Sequence, residues 1–181
     1  MRKLPVIAVA AALAATTGLG LAAPAVAAVA APAADPAPTE LTWVGRDPSA
    51  TVPDGRTAMY DIDVTTARMT FTGYKDRQDA PEPAGSEDLL ATKVRTPPKA
   101  GDCTLFAKIP YKFYGFYGAG QAYSDAGWPH RNLIDSGKWK CRATYYEQRT
   151  NYGPFSTPKL APHTEAKFRS GTARVEIVRI W

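Results

Sequence analysis

Histidine and cysteine are scarce in this sequence, two of each in 181 residues, and the scarcity excludes chemistry. His130 and His163 form neither an HxH nor an HExxH pair. Zinc needs at least three protein ligands, so no metal site is predicted. No Gly-x-Ser-x-Gly elbow marks a serine nucleophile. The glycine-rich run Phe113–Gly120 has the order GxxGxG, without the Lys-Ser/Thr ending of a P-loop and unlike the dinucleotide GxGxxG. No cofactor is therefore expected. Asp61 and Asp63 share a strand face but have no compact Asp/Asn/Gly loop around them, so they read as solvated carboxylates rather than half a calcium site. Helical periodicity is also missing: no window of 11 or more residues carries it, and 16 prolines and 14 glycines work against long helices.

What is present begins with a leader. Arg2 and Lys3 precede an apolar run, Val6–Leu21, and Ala25-Val26-Ala27 supplies the small residues of a cleavage site. Gly18, Gly20 and Pro24 break the run and no basic stop-transfer residues follow it. The reading is a signal peptide over residues 1–27, with no membrane span once it is removed. There is no twin-arginine pair, so export of an unfolded chain is expected. Residues 28–40 are rich in Ala and Pro and read as a disordered spacer. Residues 41–181 have the length of one domain with a core of its own.

Removing the leader brings the net charge from +5 to +3, too weak an excess to argue for nucleic acid. The charge is uneven. Asp35–Lys99 carries 11 acidic and 8 basic side chains, whereas Gly101–Trp181 carries 6 acidic and 12 basic. Either the acids collect in a loop, or the C-terminal half presents a basic surface to an acidic partner.

From Leu41 the pattern is that of strands. Val and Thr alternate with polar residues, and turn residues recur every 8 to 15 positions. Ala58, Tyr60, Ile62 and Val64 face one way; Ala67, Met69 and Phe71 follow on a second strand. The two form a hairpin, although Thr65-Thr66 lacks the Asn-Gly turn signature. Lys75–Asp88 is a charged, proline-containing surface loop. Leu89–Arg95 reads as a strand, Tyr123–Ser136 as a loop, and Thr172–Trp181 as a final strand held to its end. The expected fold is all-β, an antiparallel sandwich or partly open barrel of 7 to 9 strands.

Gly101–Phe155 holds both cysteines and 13 of the 19 aromatic residues. Cys103 shares a strand face with Leu105, Ala107 and Ile109; Cys141 shares one with Trp139, Ala143 and Tyr145. In an exported chain this pattern predicts a Cys103–Cys141 disulfide. Closing that loop contributes roughly 4 kcal/mol in the chain-entropy model.

Candidate binding residues come from two sources. Tyr114, Tyr117 and Trp128 lie among glycines and prolines, where an exposed ring stacks on a sugar; the plainer reading makes Trp128 a cap on the core. Lys138, Lys140 and Arg142 stand opposite the Trp139/Cys141 face as a basic stripe, or as a solvated face that protects a strand from mispairing. The resulting reading is a monomeric, non-enzymatic binding domain of the cell exterior. Its partner is an anionic cell-wall polymer, a polysaccharide or a secreted protein. Two alternatives are a protease inhibitor using the Lys75–Asp88 loop and a small metal-independent hydrolase. The second, cleaving RNA or a sugar, would use Glu147 with His130 or His163 as base and acid and Arg142 or Arg149 to stabilise charge; small secreted ribonucleases use a Glu/His/Arg set, but the order and local patterns here match no such family.

Overall fold

The computed structural model describes residues 37–77, 91–108 and 110–181. The leader, the spacer up to residue 36, most of the charged loop, Leu89, Leu90 and Ile109 lie outside the described residues. Every regular element described is a strand: β1 Thr39–Glu40, β2 Thr42–Val44, β3 Arg56–Asp63, β4 Arg68–Asp76, β5 Lys93–Arg95, β6 Cys103–Ala107, β7 Tyr114–Tyr117, β8 Gly120–Asp135, β9 Cys141–Glu147, β10 Phe155–Ser156, β11 Thr164–Phe168 and β12 Ala173–Ile180. Among the described residues no helix is long and apolar enough to cross a membrane.

The twelve strands form a single sheet, nearly closed like a barrel, with one seam unsealed. The count exceeds expectation because β1 and β10 have only two residues, too few to show an alternation, and because β7, β8 and β11 are not among the strands the sequence predicts. Thr39–Glu40, read as spacer, is strand: Thr39 N–H donates to Pro154 O and Leu41 N–H to Ser156 O, each at 2.9 Å. Three ladders are parallel, β1–β10, β2–β4 and β3–β11, where an antiparallel sheet was expected. Parallel neighbours need a long crossover and leave no local turn signal in the sequence.

The hairpin β3–β4 forms as expected, and its turn explains the missing Asn-Gly. Asp63 Oδ1 accepts the Thr65 N–H at 2.9 Å and the Thr65 hydroxyl at 2.7 Å, an Asx turn. Ala67 takes the left-handed conformation at φ 53° that glycine would otherwise fill. Ala58, Tyr60, Ile62 and Val64 are all buried, as is Met69 on β4. Each fully buried branched aliphatic side chain contributes roughly 1.5–3 kcal/mol.

The largest departure from the sequence reading is β8. Tyr123–Ser136 reads as a loop, yet nearly all of it belongs to a 16-residue strand. Its alternation is scrambled by bulges: between Val175 and Ile177, β12 advances two residues while β8 advances from Trp128 to Tyr123. Gly127 at φ 66° and His130 at φ 59° mark the bends.

β8 is also the axis of the molecule. β11 and β12 lie in succession along one side of it, and β6 lies along the other. β11 carries one half of the sheet, β3–β4–β2; β12 carries the other, β9–β10–β1. A straight strand of this length spans about 50 Å. Here Ile180 pairs with Gly120 at the start of β8 and also with Cys141, which follows the end of β8 after one short turn. The strand must therefore coil through the wall of the barrel. At that short turn Gly137, φ 55°, lies so close to the main chain of Gly101 and Asp102 that no Cβ fits.

Coiling brings β6 and β9 together. Cys103 and Cys141, both fully buried, approach within 2.5 Å and are free thiols in the structure. The sequence reading is met in the pairing of the two cysteines but not in the bond between them. Burial, with the second sulfur beside it, pushes the Cys103 thiol well above the usual cysteine range.

Candidate functional site

The three aromatic candidates do not assemble into one surface. Trp128, 7% exposed, stands edge-on to Phe116 with centroids 4.9 Å apart, and belongs to the core. Tyr114 and Tyr117 are half-buried at the two ends of β7. The Tyr117 ring lies 3.8 Å beneath the Arg95 guanidinium, which in turn forks onto the buried carboxylate of Asp102 at 2.7 and 2.5 Å. Gly115 is required here, since a Cβ would strike that same carboxylate. Tyr114 faces Trp128 and the guanidinium of Arg131.

Arg131 was not singled out by the sequence. It is 1% exposed, and carbonyls satisfy its guanidinium: Pro129 O at 2.7 Å, Lys112 O at 2.6 Å and Leu105 O at 3.4 Å. Burial lowers its pKa from the usual arginine value. Its effect is mechanical, tying the segment before β7 to the inside of the barrel.

The basic stripe does gain partners. Lys140, just before β9, and Arg142 on it stand on either side of buried Cys141, Lys140 exposed and Arg142 half-buried. β12 brings Arg179 directly opposite Arg142, and the Trp181 N–H donates to Lys140 O at 3.0 Å. Trp181 is 38% exposed; its ring has Lys159 Nζ at 4.3 Å and the Arg179 guanidinium at 5.1 Å. Two cations thus flank the indole, with Lys140 and Arg142 on the adjoining segment. Among the described residues one acid answers them, Glu40, whose carboxylate sits 3.2 Å from Arg142. The Nε of Arg142 is shielded from water and has no partner. Like charges directly opposite one another destabilise a sheet. Lys138 lies apart from this group, its alkyl chain along Gly101 and its ammonium 5.5 Å from the Trp139 ring.

The residues named for hydrolysis have other work. Glu147 Oε2 accepts three bonds from the following turn: Arg149 N–H at 3.0 Å, Thr150 N–H at 2.6 Å and the Thr150 hydroxyl at 2.6 Å. The Thr150 hydroxyl is the chief cause holding this carboxyl below its usual range, which suits a structural anion better than a proton shuttle. His130 stacks on Tyr111, with centroids 4.0 Å apart, and its main-chain N–H donates to Gln148 Oε1. The main chain of His163, φ 59°, bridges Gly137 and Ala58. Asp61 pairs with Arg169 at 2.8 Å and Asp63 holds its turn. Among the described residues no three His, Cys, Asp or Glu side chains converge to hold a metal ion.

The arrangement offers ionic attraction, exposed indole surface and a guanidinium N–H without a partner. No protein-family model, curated protein or solved structure matches the chain.

Proposed function

We propose that this chain is an exported binding domain that holds an anionic polymer against the outer face of β9 and β12. The observation that carries the reading is the pair Lys159 and Arg179 at the Trp181 ring, with Arg142 directly opposite Arg179, Lys140 next along the chain beyond Cys141, and Glu40 as counter-ion to Arg142. A row of phosphodiester or carboxylate groups would relieve the Arg142–Arg179 repulsion, and Trp181 would pack against the polymer backbone. In the same reading the leader is removed, the protein acts at the cell exterior as a monomer, and Cys103 and Cys141 join under oxidising conditions. The hydrolase alternative is weakened by the commitment of Glu147 to its turn. The inhibitor alternative rests on a loop mostly outside the described residues.

The test is binding to polyglycerol phosphate, with neutral dextran as comparison. Retention of the polyphosphate at about 50 mM salt is expected, with steep loss toward about 500 mM as charges are screened. Arg142→Glu with Arg179→Glu should weaken binding at least tenfold, and Arg68→Glu on β4 should leave it unchanged. No binding at low salt, or equal binding by the double variant, would sink the proposal.

A further inference from the structure

The outer side of the other half of the sheet carries a depression of about 420 Å³, within the roughly 300–1,000 Å³ range of small-molecule sites. Outward residues of β3, β11 and β8 form its floor. Phe106 and Phe113, with centroids 5.2 Å apart, form an apolar wall.

Its charges are of a different kind from those on the basic face. Lys75 Nζ meets Glu165 at 2.5 Å and Arg169 Nε meets Asp61 at 2.8 Å, so each carboxylate is already neutralised from a neighbouring element. Lys167 alone among the lining cations has no such partner among the described residues. The groove therefore presents fixed donors and acceptors with little net charge. A phosphate-bearing ligand would meet two carboxylates. A metal cation would have to displace two ammonium or guanidinium groups.

A second observation lies in β8. The β6–β8 register passes from Phe106 opposite Leu133 to Ala107 opposite Arg131, leaving Asn132 as the extra residue of a bulge. Bulges re-aim side chains. That of Asn132 lines the groove, and its amide oxygen is cut off from water with no hydrogen-bond partner. Such an atom costs about 1–3 kcal/mol until a donor reaches it.

Aromatic rings on one side, and an uncharged amide with neutralised carboxylates on the other, match one ligand chemistry. A pyranose ring has a C–H face that packs on aromatics and an edge of hydroxyls that both donate and accept. We infer that this groove is a second, independent binding site, for a neutral oligosaccharide segment, with Phe113 as platform and with the Asn132 side chain turning its shielded amide oxygen out of the wall to accept a hydroxyl. The site shares no residue with the basic face and does not depend on the function proposed for it.

The experiment is a titration of the full folded chain, followed by amide chemical shifts, with chitotetraose, cellotetraose and maltotetraose in turn. At least one should shift the amides of Asn132, Leu133 and Glu165. Phe113→Ala and Asn132→Ala should each weaken that binding at least tenfold, while Arg142→Glu/Arg179→Glu leaves it unchanged. Should either variant melt early, Lys167→Glu, on an exposed strand position, should still disturb the same shifts. Silence toward all three sugars would overturn the inference. So would shifts that persist in every folded variant, or tighter binding of trigalacturonate than of any neutral sugar.

Discussion

The two outer faces are cut from the same sheet by the same alternation, yet they handle charge in opposite ways. On the β9–β12 face the pairing is uneven: Arg174 and Glu176 of β12 form an ion pair, but toward the end of the strand Arg179 stands opposite Arg142, which Glu40 alone reaches from β1. On the β3–β11–β8 face, acids and bases meet pairwise across strands. Cross-strand pairing, not composition, separates an ion-seeking surface from a neutral one. The difference should appear in solution as one salt-sensitive and one salt-indifferent activity.

The comparison breaks most severely if the frame beneath one face is removed. Ile180→Ala empties a fully buried position under the basic face and should cost about 2–5 kcal/mol. Urea unfolding would measure it; a cost below about 1 kcal/mol would mean that β12 is not packed as described.

Arg131→Met sharpens the contrast. It strips donors from three carbonyls and frees the segment that carries Phe113, at a cost of about 2–4 kcal/mol. Sugar binding should fall while polyphosphate binding persists. Loss of both, in a variant still folded, would show that the faces are not independent.

Acid acts on the joint between the halves. The Ser170 hydroxyl, between β11 and β12, donates to Asp63 Oδ1 at 2.7 Å, and Val64 N–H donates to Ser170 Oγ at 3.0 Å. The Thr65 hydroxyl is the chief cause holding the Asp63 carboxyl well below its usual range. A depressed carboxyl adds stability above its unfolded pKa, about 3.9, and that stability is lost as pH falls through the folded value. Asp135 runs the other way: burial raises its pKa, so acid relieves it. Melting temperature should still drop below about pH 4. Asp63→Asn should melt lower at pH 7, with the gap closing toward pH 2. A gap constant with pH would remove Asp63 from the joint.

The smallest effect belongs to Trp181→Ala. Loss of its contacts with Lys159 and Arg179 should weaken polymer binding about two- to fivefold, matching roughly 0.5–1 kcal/mol for exposed cation–π pairs. Titration against polyglycerol phosphate at fixed salt would show it, and an unchanged affinity would leave the indole outside the site.

Much of the barrel wall was legible in the chain. Strands β3 and β9 alternate cleanly, which put Ala58, Tyr60 and Ile62, and Cys141, Ala143 and Tyr145, on core faces. β8 was hidden because its bulges break the period of two. The Gly127-Trp128-Pro129 triplet resembles a loop, and so Trp128 became a surface candidate. Lys140 and Arg142 were visible as a local stripe, but Arg179 and Lys159 join them only through pairing with distant segments. The groove draws on β3, β4, β6, β8 and β11, and no single stretch contains its pattern.

The coiled β8 also governs how the molecule can be made. The hairpin β3–β4 is local, but the parallel partner of β3 is β11, which arrives about a hundred residues later. β8 stays without one neighbour until β11 and β12 exist. Loop-closure entropy must be met before these pairings return anything, which places folding in the slow regime of roughly milliseconds to seconds. An emerging chain therefore has little to collapse onto until Ile180 is present, and stays an open thread for most of its synthesis.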